Sequence, residues 1–213
     1  MERGIEDSGK DARELTRENT QDGKPMPPRT RPQSSSNVFH VINRGNAHQT
    51  LFRAVSDFIR FHQLIKKLKQ RYQISLYYYV FMPNHIHIMI ETQNFEDVSH
   101  LMRDLTSTYA RYNHRQYEGD GHVWTGRFRL KIIEKDSYLK QCGVYIEANP
   151  VRAGLAKNPE DYPWSSARAH ICKMPDSIVD PCPYIYQDSI FFPGNIPGNI
   201  PGKFPGTESR HPG

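Results

Sequence analysis

Residues 82–91, MPNHIHIMIE, set His85 and His87 one residue apart in an otherwise apolar run. Along an extended strand, side chains alternate between faces, so these two imidazoles point the same way, roughly 6–7 Å apart. Two neutral imidazoles so placed can share a divalent cation and leave coordination positions open, as a catalytic metal requires. The pair equally suits a solvated sheet face or a nucleic-acid contact. With ten histidines in 213 residues, chance supplies about half an H-x-H per chain, so the motif alone does not choose among the three. A second segment, YIEANPVRAGL from residue 145 to 155, places Tyr145 and Asn149 four apart, hence on one face of a helix. A tyrosine there can act as a nucleophile, and an amide oxygen one turn on can complete a metal site. Packing by the tyrosine and a C-terminal cap before Pro150 are the plain alternatives.

The elements that must hold these residues alternate in period. NVFHVINRGN reads as a strand with Val38, His40 and Ile42 on one face and Phe39 and Val41 on the other, ended by Arg44-Gly45-Asn46. Residues 56–71 read as a helix capped by Ser56, with Phe58, Phe61, Ile65 and Leu68 at three- and four-residue steps. QISLYYYVF is rich in strand formers, and Met82-Pro83-Asn84 turns the chain back into HIHIMIE. There the isoleucines mark a buried face, and the histidines sit opposite it. Residues 96–116 repeat apolar side chains at helical steps through Val98, Leu101, Met102, Leu105, Tyr109 and Tyr112. GRFRLKIIE alternates again, and a helix opened by Asp136 stops at Asn149 before Pro150. The order strand, helix, strand, strand, helix, strand matches a ferredoxin-like split βαβ domain of the α+β class. Its antiparallel sheet is expected to carry helices on one face, leaving the histidine face open, with an added C-terminal helix bearing the tyrosine.

Charge divides the chain the same way. Residues 1–36 hold seven basic and seven acidic side chains, residues 173–213 hold three and four, and residues 37–172 hold 18 and 12. The whole cationic surplus therefore lies in the middle segment, which favours a polyanion such as nucleic acid, although a solubility charge of that size is also common. The polar first segment and the Pro/Gly-rich last one, with its PGNI echo, are expected to be tails outside a single domain spanning 37–172. The opening residues carry no apolar leader and no stretch is long enough to span a membrane, so neither is expected. Cys142, Cys172 and Cys182 lack close spacing and read as reduced, cytosolic thiols.

FHVINRGNAHQTLF, YVFMPNHIHIMIE, YARYNHRQYEGDGHVWTGRFRLKIIEKDSYL, YIEANPVRAGL and DYPWSSARAH stand in this order from about residue 37 to 170. In sequence and spacing they resemble the REP-associated tyrosine transposases, relatives of the bacterial single-tyrosine HUH transposases. The resemblance implies a ferredoxin-like fold and a Mg²⁺ or Mn²⁺ ion held by His85 and His87, with Asn149 at the third ligand position. It implies Tyr145 as nucleophile, single-stranded or hairpin DNA as partner, and a 5′-phosphotyrosine intermediate in DNA transposition. A monomer or homodimer in the bacterial cytoplasm, at the nucleoid when acting, completes the expectation.

The chemistry agrees with these parts. A free phenol titrates near pH 10, so attack at neutral pH needs help, and a cation on a non-bridging phosphate oxygen stabilises the developing charge. Arg127, Arg129 and Lys131 alternate and form a stripe suited to a DNA backbone, opposite Phe128, Leu130 and Ile132. Arg44 with Gly45, and Arg111 with Arg115, are further candidates for phosphate contact. Tyr77, Tyr79, Tyr109, Tyr112 and Trp124 are candidates to stack on bases, with core packing the commoner role for each, while Trp164 reads as packing. Two other readings stand beside the transposase: a domesticated, catalytically silent hairpin-DNA-binding protein, and a metallohydrolase that would recruit Cys142 or His122.

Overall fold

The computed structural model of the protein describes residues 20–21, 24–25, 36–135 and 137–184, with no side chain described at 20–21, 24–25 or 137. Most of the N-terminal tail, Asp136 and the PGNI run therefore lie outside the described residues. Within the N-terminal unit, residues 1–33, strands β1 (Thr20–Gln21) and β2 (Lys24–Pro25) pair antiparallel.

In the second unit the alternating segments become the expected strands. These are β3 (Val38–Arg44), β4 (Ser75–Met82), β5 (His85–Glu91) and β6 (Arg129–Ile133), in the spatial order β4-β5-β3-β6 with every pairing antiparallel. This is the split βαβ arrangement. Ile86, Ile88 and Ile90 turn to one face, where α1 (Val55–Arg71) and α2 (Phe95–Tyr117) lay down Phe58, Phe61, Ile65, Leu101, Leu105 and Tyr109. Each such side chain removed from water contributes about 1.5–3 kcal/mol. Trp164 stacks on Phe58 with ring centroids 4.7 Å apart, the packing role expected of it. Tyr77, Tyr79, Tyr109 and Trp124 are likewise buried and unavailable to bases.

The second face is not open. α3 (Ser137–Glu147) lies across it, and Leu139, Cys142 and Ile146 meet Val38, Tyr78, Val80, Met82, Met89 and Ile133. A signal for this cover was present in the sequence. The run LYYYVFM does not alternate between apolar and polar, as befits a strand buried on both faces.

The domain also extends past residue 172. Ile178 is fully buried, and the Asp180 carboxylate accepts from the Leu76 amide at 2.7 Å and from Lys69 Nζ at 2.5 Å. The Asp180 amide in turn donates to the Leu76 carbonyl at 2.8 Å, while Phe81 N donates to the Trp164 carbonyl at 2.9 Å. Residues 164–166 and 180 thus cover the outer edge of β4, which would otherwise expose unpaired backbone. Described residues between 173 and 184, expected to belong to the tail, thus pack with the domain.

Helix α1 begins one residue early, and Asp57 caps it instead of Ser56. Its wholly buried carboxylate accepts from the amides of Arg53 (2.7 Å) and Ala54 (3.0 Å) and from the hydroxyls of Tyr112 (2.8 Å) and Tyr117 (2.5 Å). Burial pushes this carboxyl up, but the hydrogen bonds from Tyr117, Tyr112 and the two amides outweigh it and hold it below its ordinary value. Asp57→Ala leaves four donors without an acceptor, and should cost about 3 kcal/mol in urea unfolding. A depressed folded pKa stabilises fully above the unfolded value of about 3.9 and is lost as pH falls through the folded one. The acid limb of the pH–stability curve should therefore be shallower in the variant; superimposable limbs would refute the assignment.

Candidate active site

The ladder register brings the site together. Ile42 lies opposite His87 and Arg44 opposite His85, while on the far side of β3 Ile42 faces Arg129 and His40 faces Lys131. Paired residues share a face, so His40, Arg44, His85, His87, Arg129 and Lys131 all stand on the side covered by α3. The His85 and His87 rings are 5.2 Å apart between centroids, and Tyr145, half-buried on α3, lies with its ring 6.1 Å from that of His87. The nucleophile candidate and the histidine pair therefore converge from two elements separated by some sixty residues of chain.

Burial governs the electrostatics. His87 is buried, and desolvation, reinforced by His40, His85, Arg44 and Arg152, holds its pKa well below the ordinary imidazole value. Burial and the Arg44 charge take His85 down to about 4; burial and Lys131 take His40 down to about 3. All three rings are neutral at pH 7, the form in which an imidazole ligates a metal. His85 Nδ1 lies 2.6 Å from Asn84 Oδ1, and His87 Nδ1 lies 2.9 Å from Nε2 of His40. The residues fit a divalent cation through two imidazole nitrogens. Among the described residues no group of three His, Cys, Asp or Glu side chains converges as a ligand set.

Helix α3 ends at Glu147, two residues before the expected stop, and Asn149 is the first residue of α4 (Asn149–Arg152). Asn149 takes the capping position that was the plain alternative to a ligand. Its side-chain nitrogen donates back to the carbonyls of Tyr145 (2.8 Å) and Ile146 (3.2 Å), capping α3 before Pro150. With the nitrogen so engaged, the amide oxygen is the atom left for a ligand.

The sequence reading missed Arg152, whose guanidinium lies 4.9 Å above the Tyr145 ring, a cation–π contact that brings a cation to the nucleophile candidate. It also missed what seats α3. Gly143 lies so close to the Tyr78 ring that a Cβ would come within 2.5 Å of it. Two turns of chain chemistry finish the anchor: buried Glu147 accepts from Ser166 Oγ at 2.5 Å and pairs with His170 Nδ1 at 2.6 Å. The stripe Leu139, Cys142, Ile146 was the available signal for this docking; the partners of Glu147 lie some twenty residues on and left none.

Of the expected DNA contacts, Arg44, Arg129 and Lys131 share the face of the site, and Lys131 also donates to the Tyr138 hydroxyl and lies over that ring. Arg127 is exposed just ahead of β6. Arg111 and Arg115 are exposed on α2, in the layer on the opposite side of the sheet. Cys142 packs in the core with its thiol pushed up to about 12 by burial, and His122 is exposed, so the pair forms no ligand set.

Comparison with known proteins concerns the chain as a whole. The sequence profile of the family described as Transposase IS200 like matches residues 33–149, more than half of the chain. A Haemophilus influenzae protein designated a REP-associated tyrosine transposase is 26% identical over 123 residues, covering 53% of this chain and 70% of that protein. A solved REP-associated tyrosine transposase bound to a REP hairpin superposes with a TM-score of 0.55 at 19% identity, covering 76% of this chain and 96% of that one, and so shares the fold. No described helix is long and apolar enough to cross a membrane.

Proposed function

We propose, from the premise that the chain belongs to the IS200-like transposase family, that it cleaves and rejoins single-stranded DNA through a covalent bond to Tyr145. The observation that carries this reading is the convergence of the Tyr145 ring on His87, 6.1 Å away, across a sheet face otherwise sealed by α3. The solved relative's REP hairpin suggests DNA beside a palindromic hairpin as the substrate class.

The step balances without a co-substrate. The Tyr145 oxygen, losing its proton, attacks the phosphorus; the bond from phosphorus to the 3′ oxygen breaks; and that oxygen leaves as a hydroxyl after taking up a proton. The 5′-phosphotyrosine keeps the energy of the broken phosphodiester, so the reverse attack by a 3′-hydroxyl restores a DNA strand. His85 and His87, with the Asn149 amide oxygen, would hold a Mg²⁺ or Mn²⁺ ion, which when bound offsets charge on the phosphate oxygens. Arg152 and Arg44 raise the local positive potential and favour the approach of a phosphate. The docked α3 fixes the phenol against the pair, converting an encounter into a positioned attack.

The test is covalent capture. Full-length protein is incubated with a 5′-phosphate-proximal labelled hairpin and single-stranded flank, with Mn²⁺ or with EDTA, and resolved on a denaturing protein gel. A labelled, shifted band that requires metal supports the reading. Cleavage without a shifted band points to hydrolysis by water, and tight hairpin binding with no cleavage points to a silent binder.

A further inference from the structure

Each of the two site histidines has its Nδ1 occupied, by a different kind of partner. Asn84 Oδ1 can only accept, so at 2.6 Å the His85 Nδ1 must carry the proton and its Nε2 keeps a lone pair. The contact of His87 Nδ1 with His40 Nε2 at 2.9 Å holds one proton between two neutral rings, and either ring can own it. If His87 owns it, His87 Nε2 is a lone pair like that of His85. If His40 owns it, His87 Nε2 carries a hydrogen and cannot bind a cation.

We infer that His40 and Asn84 are positioning residues that lock His87 and His85 in the Nδ1–H tautomer, so that both Nε2 lone pairs serve one cation. This rests on reading His85 and His87 as cation ligands. Geometry restricts the alternatives. His40 is 2% exposed and stacked on His87 with centroids 5.1 Å apart, so it cannot swing to solvent and release the contact. The contact is diagonal, since His87 lies directly opposite Ile42 and His40 opposite Met89. Asn84 is supplied by the tight turn between β4 and β5, next to its own histidine. A hydrogen-bond acceptor behind each ligating imidazole fixes ring orientation and raises the basicity of the ligating nitrogen, and its loss commonly weakens metal affinity 10–100-fold.

The experiment starts with metal-free, full-length protein carrying ¹⁵N-labelled histidine. Two-bond ¹H–¹⁵N correlations should report Nδ1–H on both His85 and His87. Mn²⁺ binding is then followed by electron paramagnetic resonance. His40→Leu should bind about 10–100-fold more weakly, and His40→Gln, whose amide oxygen can accept the same hydrogen bond, should recover most of the loss. Thermal melts establish that each variant is folded, and the tautomer measurement stands without any variant. A proton on His87 Nε2 in the wild type, or equal Mn²⁺ affinity in folded His40→Leu, overturns the role of His40. A wild type that takes up no Mn²⁺ overturns the cation reading and this inference with it, and is recognised separately because the tautomers are read before metal is added.

Discussion

Tyr145→Phe should abolish the metal-dependent covalent adduct, by at least about 1000-fold, while leaving thermal stability and hairpin affinity unchanged. The substitution removes one oxygen. The ring keeps its edge-to-face contact with His87 and its place under the Arg152 guanidinium, 4.9 Å away. Among the described residues the Tyr145 hydroxyl makes no hydrogen bond, so its loss should change stability by no more than about 0.5 kcal/mol, as at an ordinary surface position. Removing a nucleophile, by contrast, removes the covalent route altogether, and a thousandfold corresponds to about 4 kcal/mol of barrier. Tyr138 is the informative control. It lies two turns earlier on the same face of α3, but its hydroxyl is engaged by Lys131. Tyr138→Phe should therefore leave the adduct intact. An adduct that survives in Tyr145→Phe and disappears in Tyr138→Phe would transfer the nucleophile to residue 138.

The second large effect is on the seat of α3. Gly143→Val should lower the melting temperature by about 6–12 °C and remove adduct formation at the same time. A Cβ at this position meets the Tyr78 ring at 2.5, 2.6 and 2.7 Å, closer than carbon atoms pack. The ring cannot simply step aside, since it is buried and already packs against the His170 ring, with centroids 4.5 Å apart. Overpacking of this kind costs about 1–3 kcal/mol, to which a β-branched residue in a helix adds a little. In a protein of this size 3 kcal/mol is worth about 6–12 °C. Because the clash lifts the helix that carries Tyr145, activity should fall further than stability. Pairing Gly143→Val with Tyr78→Ala tests the contact directly: the double variant should be less destabilised than the two single changes combined. Simple additivity would place the strain elsewhere.

Legibility was uneven across the molecule, for reasons that differ from residue to residue. The histidine pair was readable because strand alternation is a property of the local backbone: with Ile86, Ile88 and Ile90 inward, His85 and His87 had to share the other face. The apolar steps of α1 and α2 were readable for the same reason, through the helical repeat. Asn149 was placed one turn from Tyr145 with a cap before Pro150 as the plain alternative, and its amide nitrogen does cap α3; which role it takes depends on where α3 stops. Arg129 and Lys131 alternate along β6 as expected, with Arg127 just ahead of the strand, yet Arg111 and Arg115 fell on the opposite layer, since a charge count carries no information about layers.

By itself the sequence determined the order of strands and helices, the shared face of His85 and His87, and the segment that carries Tyr145; these follow from periods of two and 3.6 residues. Only the tertiary structure decided that His40 stands diagonally behind His87, that α3 seals the second face through Gly143, Glu147, Ser166 and His170, and that Asp180 closes the edge of β4. Such contacts depend on ladder register and on how closely two backbones can approach. Both are set by the packing of the whole domain, and no window of local sequence contains them.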